Sequence, residues 1–185
     1  MGKWFDVPVY TVTSVQPSQP GSDVSRCIDN DNATIYHSKW GQSGIPDELD
    51  FYFTSNVASL KKMVYTPRQA QTNGIWTDVT VSYSTQADPA TFVVLSSNLI
   101  WALDNQDKTI DLATAIANPY IIRFTVNAAG GNFSSCAEMR FYSETEVIQN
   151  NGIDCAINTA NLALNGANDV LAVIQGSGST ASSFQ

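Results

Sequence analysis

The segment Val79-Thr80-Val81-Ser82-Tyr83-Ser84 alternates between a larger apolar or aromatic residue and a small hydroxyl-bearing one. Successive side chains of a β-strand point to opposite faces, so this alternation predicts a strand with one buried and one solvent-facing side. Proline, glycine, asparagine and aspartate turns separate it from further segments rich in β-branched and aromatic residues. This arrangement favours an all-β sandwich or jelly roll over a helical or α/β fold. The other predicted strands are residues 7–12, 49–53, 60–66, 91–95, 108–112, 120–126 and 137–142.

Length and composition indicate one folded, acidic domain with a short additional piece. The chain has 185 residues, of which 43% are hydrophobic and 14% charged, so it can bury a core and is not a disordered chain. Its formal net charge of −8 argues against nucleic acid and anionic membrane surfaces as partners. No apolar run approaches the ~18 residues of a membrane-spanning helix, so no transmembrane segment is expected.

The two ends of the sequence differ from its middle. The start, Met1-Gly2-Lys3-Trp4-Phe5-Asp6, lacks the apolar stretch of a signal peptide, as would a domain excised from a longer exported protein. From Gln149 onwards there is no lysine or arginine, and Phe184 is the only aromatic residue. We therefore expect residues 1–147 to form the domain. Residues 148–185 would be an extension, a linker or the start of a following module.

The three cysteines, Cys27, Cys136 and Cys155, have neither metal-site spacing nor a CxxC motif. Buried thiols are the commoner fate of isolated cysteines. A bridge between Cys27 and Cys136 is the alternative, so the sequence alone does not define the redox compartment.

Residues 26–40 read RCIDNDNATIYHSKW and combine two kinds of chemistry. Asp29, Asp31 and Thr34 supply oxygens at short, irregular spacing, which suits Ca²⁺ with its ~6–8 oxygen ligands. The only histidine of the chain, His37, follows closely and precedes Trp40. A polar group beside an aromatic ring can hold a pyranose, which offers hydroxyls at its edges and C–H groups on one face.

Four motifs resemble those of the discoidin-like domains, which include the coagulation factor five/eight C-type domains and the family 32 carbohydrate-binding modules. CIDND followed by TIYHS, at residues 27–38, resembles the AIDGD…TFWHS signature. YTPRQ followed by Asn73-Gly74 resembles the YxPRQ…NG segment of the bacterial sugar-binding branch. YIIR at 120–123 resembles its aRYIRL strand, and GNFSSCAEM at 131–139 its closing GxxxSxAEI strand. All four occur in family order within residues 22–143.

The resemblance implies an eight-stranded antiparallel jelly-roll sandwich of the galactose-binding-domain type, with one structural Ca²⁺. Asn30 stands where the family usually has glycine, and asparagine tolerates the positive φ that such a loop requires. Carried over position by position, the ion's ligands would be the carbonyls of Arg26, Asp31 and Ala137, the carboxylates of Asp29 and Glu138, and both the carbonyl and hydroxyl of Thr34.

The resemblance also implies a sugar site on loops at one end of the sandwich. His37 and Arg68 fall on ligand-contacting positions, and an imidazole with an arginine fork can bracket the axial hydroxyl of a galactose-type sugar. Further candidate contacts are Asn73, the aromatic platforms Phe133 and Trp40, and the acidic Asp23. The alternatives are a structural His37, an ion pair between Arg68 and Asp47 or Glu48, and core positions for Phe133 and Trp40.

The sequence provides no catalytic motif: it has one histidine, no nucleophile elbow, and no HExxH, Walker A or GxGxxG. We therefore expect a non-catalytic, monomeric carbohydrate-binding module for terminal galactose- or N-acetylgalactosamine-type sugars. It would belong to a larger secreted, periplasmic or cell-surface protein such as a glycosidase or glycan-targeting peptidase. The alternative is a cell-adhesion or surface-binding discoidin domain with a protein or lipid ligand. Paired acids for glycoside hydrolysis are not excluded by sequence.

Overall fold

In the computed structural model, which describes residues 3–144, two antiparallel sheets face each other. One sheet has the strand order β1-β11-β5-β8 and the other β2-β4-β9-β6-β7, while β3 and β10 form a separate short pair. The prediction of an all-β sandwich is confirmed. The strands of the described part are β1 (Phe5–Asp6), β2 (Thr11–Ser14), β3 (Tyr36–His37), β4 (Asp47–Tyr52), β5 (Ser59–Thr66), β6 (Trp76–Thr85), β7 (Val93–Ile100), β8 (Lys108–Ala117), β9 (Pro119–Ala129), β10 (Ser135–Cys136) and β11 (Glu138–Ser143).

The structure differs from the prediction where the chain changes sheets or pairs only briefly. Of the predicted strand 7–12, only Thr11 and Val12 lie in a strand, β2, which pairs with β4. Val7 instead follows β1 and donates its N–H to the Phe141 carbonyl of β11, in the other sheet. Pro8 lies at the division, where its missing N–H cannot contribute to a ladder. Strands β3 and β10 have two residues each, too few for an alternation to be recognised in the sequence.

Aromatic side chains from both sheets form the core between them. The ring of Phe141 on β11 lies 5.3 Å from Phe51 on β4 and 5.0 Å from Phe53 just beyond it. Tyr65 and Trp76 stack with their planes 2° apart and their centroids separated by 4.2 Å, so these rings also join the two sheets. Burying such rings is the main favourable contribution to folding, at ~25 cal/mol per Å² of apolar surface.

A buried polar cluster ties β2, β3 and β4 together beneath the loops. The carboxylate of Asp47 is completely buried and accepts hydrogen bonds from Ser14 Oγ at 2.7 Å and from the Tyr36 hydroxyl at 2.8 Å. Burial raises the pKa of Asp47, and these hydrogen bonds oppose the increase. These fixed donors take the place of the water that would hydrate an exposed carboxylate. Because Tyr36 is one of them, the hydrogen bond also positions His37, the next residue.

We expect Tyr36→Phe to lower the free energy of unfolding by about 1–3 kcal/mol, because it removes a donor from a buried carboxylate. Urea denaturation at neutral pH measures the change. Tyr10→Phe removes the hydroxyl of an exposed tyrosine and serves as the control, with an expected change within about 0.5 kcal/mol. Equal midpoints for both variants would contradict the importance of this cluster.

The structure answers the question about two of the three cysteines and leaves the expectations for the C-terminal residues untested. Cys27 and Cys136 are both buried free thiols, and desolvation raises the pKa of Cys27. Cys155, the predicted boundary at 147/148 and the role of residues 148–185 lie outside the described residues. Within residues 3–144, no helix has both the length and the apolar character required to span a membrane.

Candidate functional site

Three loops meet at one end of the sandwich: residues 38–46 before β4, residues 67–75 between β5 and β6, and residues 130–134 after β9. Backbone hydrogen bonds join them. Ser38 N donates to Ser134 O at 2.8 Å, and Gly74 N donates to Gly130 O at 2.7 Å. These bonds fix the position of each loop relative to the others, so the side chains they carry are preorganised.

Two glycines allow the loops to approach this closely. Gly74 and Gly131 have φ of 87° and 65°, a region that residues with a Cβ rarely adopt. A Cβ on Gly131 would overlap Asn73 Oδ1, and one on Gly74 would lie 2.5 Å from Ser135 Oγ. A side chain at either position would therefore move the loop that carries Asn73.

His37 is held in a defined tautomer. Its Nδ1 lies 2.6 Å from the carbonyl oxygen of Ser38, and since a carbonyl can only accept, Nδ1 carries the proton. Nε2 is then an acceptor, and it has no hydrogen-bond partner among residues 3–144. Burial lowers the pKa of His37, and the nearby charge of Arg68 lowers it further, against the opposing effect of the Ser38 hydrogen bond. The imidazole is therefore neutral at pH 7.

The imidazole is covered by two aromatic rings. Phe133 lies 5.3 Å from it and Trp40 lies 6.1 Å from it, centroid to centroid, and only 1% of His37 is exposed. Phe133 is itself half-buried, whereas Trp40 is 61% exposed, so Trp40 does not occupy the core position considered as an alternative. The imidazole thus has one half-buried and one largely exposed aromatic ring beside it.

Arg68 and Asn73 are the other two polar residues of the candidate sugar site. Arg68 Nη1 donates to the Asn73 carbonyl at 3.2 Å, while Arg68 Nε and Asn73 Oδ1 have no partner. Five side-chain atoms in residues 3–144 are buried without a hydrogen bond, and three of them belong to His37, Arg68 and Asn73. Because unsatisfied buried polar atoms are rare and costly, their concentration in one place is unlike ordinary packing.

The alternative ion pairs for Arg68 do not form in the described structure. Asp47 is satisfied by Ser14 and Tyr36, as described above. Glu48 lies 3.3 Å from Arg123 Nη1 instead. Within the described residues, neither carboxylate therefore neutralises the Arg68 guanidinium.

Asp23 lies at the beginning of the 3₁₀ helix Val24–Ile28, beside Ser22. The carbonyl of Ser22 accepts a hydrogen bond from His37 N at 3.2 Å, so Asp23 is close in the chain to a direct contact with β3. Its side chain is exposed and makes no capping hydrogen bond.

The predicted cation loop is folded on its own oxygens. Thr34 Oγ1 donates to Asp29 Oδ2 at 2.6 Å and approaches the Asp31 carbonyl oxygen at 3.1 Å. Asp29 Oδ1 accepts from Asp31 N at 3.0 Å. Asn30 adopts a φ of 62°, the positive value expected where the family has glycine. Asp29, Asp31 and Thr34 are therefore brought together, and their role as ligands stays a prediction.

Glu138, at the start of β11, reaches the same loop from the other end of the chain. It is 1% exposed and accepts a hydrogen bond from the backbone N–H of Asn30, while its Oε2 has no partner in the described part of the chain. Burial raises the pKa of Glu138 to about 7; Arg140 opposes this increase and Asp29 adds to it. A buried, partly unsatisfied carboxylate next to a second one is an environment that a cation would stabilise.

The backbone places the remaining predicted ligands beside these side chains. Arg26 belongs to the 3₁₀ helix that ends at the loop, and Ala137 directly precedes Glu138. In residues 3–144, no group of three or more His, Cys, Asp or Glu side chains could hold a metal by itself. A bound ion would thus depend on neutral oxygens in addition to the two carboxylates, which suits Ca²⁺ better than Zn²⁺.

Sequence reasoning missed the features that set the site's geometry. The Ser38 carbonyl selects the His37 tautomer, and Gly131 allows Asn73 to approach. Ser38 is adjacent to His37 within the recognised signature, so it was available as a signal. The contact between Gly131 and Asn73 spans 58 positions and had no local signal.

Comparison with known proteins gives one curated relative and several structural ones. The chain is 30% identical over 134 residues to an A type blood N-acetyl-alpha-D-galactosamine deacetylase from Flavonifractor plautii; the match covers 72% of this chain and 17% of that protein. The chain therefore spans about a sixth of the length of the curated relative. No protein-family model matches it.

Two solved structures from Clostridium perfringens have the same architecture. The family 32 carbohydrate-binding module of NanJ, in complex with galactose, matches with a TM-score of 0.68 and 22% identity over 76% of this chain and 100% of that one. CpGH89CBM32-5, in complex with GalNAc-β-1,3-galactose, matches with a TM-score of 0.64 and 20% identity over 72% and 94% of the two chains. The discoidin-like resemblance is thereby confirmed, and this chain has the jelly-roll fold of the family 32 carbohydrate-binding modules.

Proposed function

We propose that this domain is a non-catalytic carbohydrate-binding module for terminal galactose- or N-acetylgalactosamine-type sugars. The observation that supports it best is that His37, Arg68 and Asn73 are neighbours and that each has a buried polar atom, Nε2, Nε and Oδ1, without a partner in residues 3–144. The structural relatives described above were solved with galactose and with a GalNAc-containing disaccharide, which supports the same ligand class.

The three atoms match what a sugar hydroxyl offers. A hydroxyl can donate to His37 Nε2 and at the same time accept from Arg68 Nε, and Asn73 Oδ1 can accept from a neighbouring hydroxyl. Phe133 and Trp40 supply apolar surface for the C–H face of the ring. Arg68 also contributes a charge-assisted donor, the stronger kind of hydrogen bond.

Opening of the aromatic cover is part of the proposed binding event. Trp40 is held by a backbone hydrogen bond to Gln19 Oε1 at 3.1 Å, while its side chain stays largely exposed, so its ring can rotate at low cost. Displacing a ring and ordering one or two sugar units both oppose binding. We expect a dissociation constant on the order of 0.1–1 mM, which multivalent display would strengthen.

We also propose that one structural Ca²⁺ binds between the loop 29–34 and the start of β11. The unpartnered Glu138 Oε2 supports this, together with the adjacent Asp29 and the clustered oxygens of Asp31 and Thr34. The ion would add positive charge to that of Arg140, which already lies close enough to Glu138 to lower its pKa. The carbonyls of Arg26 and Ala137 would complete its shell.

We propose further that the domain targets a larger glycan-active protein to its substrate from a secreted or cell-surface location. The curated relative is about six times longer than its matched part and carries an enzyme name. The domain itself would contribute binding and no turnover, and would be monomeric when isolated. An adhesion-type domain with a protein or lipid ligand is the other class of function.

A glycan array probed with the purified chain, in Ca²⁺ and in chelator, tests this function. Calorimetry with galactose follows, with glucose as the matched control because the two sugars differ only in the orientation of one hydroxyl. Preference for galactose-terminated glycans supports the proposal. Binding to anionic lipid vesicles without glycan binding would favour the adhesion class, and hydrolysis of a glycoside by the chain would contradict a binding-only role.

We expect galactose affinity to be constant between about pH 6.5 and 8 and to fall in more acidic solution. The ligand needs an unprotonated Nε2, and because burial lowers the pKa of His37, protons compete only below the ordinary histidine range. Titration calorimetry across this range measures the effect. The His37→Gln variant does not titrate there and should lose the acid-dependent decline; a decline that persists in it would assign the effect to another group.

A further inference from the structure

A second groove, of about 300 Å³, lies at the end of the five-stranded sheet opposite to the three site loops. Tyr52 ends β4 and Tyr120 is the second residue of β9, whereas the loops of the first site precede β4 and follow β9. Gln86 follows the end of β6 and also lines the groove. Its volume equals that of roughly ten water molecules, so it can accept a small polar ligand.

Three tyrosine rings form the walls of the groove. Tyr52 and Tyr120 pack edge to face, with centroids 6.0 Å apart and planes at 84°. Tyr10 is 75% exposed, and its backbone N–H donates to the Tyr52 carbonyl at 2.8 Å, which fixes it beside that residue. The backbone N–H of Phe53 donates to the Tyr120 carbonyl at 2.9 Å, so the rings stand on paired strands. They form an aromatic surface that is open to solvent, on a backbone that these hydrogen bonds hold in place.

Gln86 supplies a fixed acceptor at the same place. Its Nε2 donates to the carbonyls of Phe53 and Pro119, each at 3.0 Å, which uses both amide protons. The amide oxygen, like the three phenolic hydroxyls, has no hydrogen bond to the described part of the chain. All residues that line the groove are uncharged.

We propose that this groove is a second saccharide-binding site, for a neutral sugar chain. Tyrosine faces suit the apolar C–H face of a pyranose, and their hydroxyls with the Gln86 oxygen suit its hydroxyls. The uncharged lining gives no attraction to phosphate or carboxylate groups. A proline-rich peptide also binds aromatic grooves, and it is the competing ligand that the test below distinguishes.

The second site is independent of the first and would let one domain contact two glycan chains, or two distant parts of one chain, from opposite ends. Two weak sites that engage one polymer increase its apparent affinity without any new contact. Binding at the groove should therefore persist when the first site is disabled.

The test uses the full ¹⁵N-labelled chain and amide chemical shifts. The probes are β-1,4-linked tetrasaccharides of glucose, xylose and N-acetylglucosamine, each at roughly 20 mM, well above the dissociation constants of weak sites, and a proline decapeptide. We expect at least one saccharide to shift amides around residues 10–11, 52–55, 86 and 120, both in the wild type and in the His37→Ala/Arg68→Ala double variant. In that double variant the first site is disabled. A groove response that persists there therefore supports the second site whether or not the proposed function at the first site is correct.

Tyr10→Ala is expected to weaken the groove response about tenfold while leaving galactose shifts at the first site unchanged, because Tyr10 is exposed. Tyr10→Phe keeps the ring and should restore most of the response. The proposal is overturned if no saccharide shifts these amides, if only the proline peptide does, or if Tyr10→Ala leaves the response intact.

Discussion

His37→Ala and Arg68→Ala are each expected to weaken galactose binding by about 10- to 100-fold, which corresponds to ~1–3 kcal/mol. His37→Ala removes the only neutral imidazole acceptor of the site, and Arg68→Ala removes a charged donor whose Nε has no other partner. In both variants a sugar hydroxyl would lose its hydrogen bonds to water on entering the site and would find no protein partner to replace them. Isothermal titration calorimetry with galactose measures the loss.

Both variants should remain folded, since His37 on the two-residue strand β3 and Arg68 in the loop after β5 lie at one end of the sandwich and not in the aromatic core between the sheets. Lys39→Ala is the matched control for Arg68→Ala, because it removes an exposed positive charge near the site without removing a partner of the three unsatisfied atoms. Its galactose affinity should match that of the wild type. Unchanged affinity in both His37→Ala and Arg68→Ala would place the sugar site on other loops.

The fold could be predicted where the sequence alternates over five or more residues. Val79–Ser84 lies within β6, and residues 120–126 lie within β9, because a strand with one buried face leaves a period of two in the sequence. Residues 7–12 looked equally regular but contribute to two sheets. Their separation depends on partners in β4 and β11, which are distant in sequence and leave no local pattern.

The chemistry of the candidate site could be predicted better than its accessibility. The motifs identified His37 and Arg68 and the loops that carry them. They gave no indication that His37 is almost completely covered, because the covering rings come from Trp40 and from Phe133, which is 96 positions away. Likewise, the choice between a free and a paired Arg68 depended on what satisfies Asp47 and Glu48, namely Ser14, Tyr36 and Arg123.

Among the aromatic residues, too, some positions could be predicted from the sequence and others could not. Trp76 is fully buried and stacked on Tyr65, as expected for a packing residue, and Trp101 extends that stack with planes 12° from those of Tyr65. Three of the tyrosines, by contrast, line the groove at the opposite end, where the sequence gave no reason to look. Tyr52 and Tyr120 follow the alternation of their strands, and only the pairing of β4 with β9 brings them together.

Addition of Ca²⁺ to chelator-treated protein is expected to raise the melting temperature in a saturable manner. A ligand that binds only the native state stabilises it by about 2.7 kcal/mol at 100 times its dissociation constant, or on the order of 10 °C for a domain of this size. Asp29 lies close enough to Glu138 to raise its pKa, so an ion bound by both carboxylates should hold the loop 29–34 against the start of β11. Differential scanning calorimetry measures the shift.

Asp29→Ala and Glu138→Gln should both lose the Ca²⁺ response, but their stabilities in chelator should differ. Asp29→Ala removes the acceptor of Thr34 Oγ1 and Asp31 N and should destabilise the loop. Glu138→Gln replaces a buried, incompletely paired carboxylate by a neutral amide, so it should be at least as stable as the chelated wild type. Asp31→Asn, which loses one negative charge but keeps its backbone carbonyl and a side-chain acceptor for Ala33 N, should retain most of the response. A response that is lost equally in Asp31→Asn would show that Ca²⁺ acts through the net charge of the loop and not through the proposed ligands.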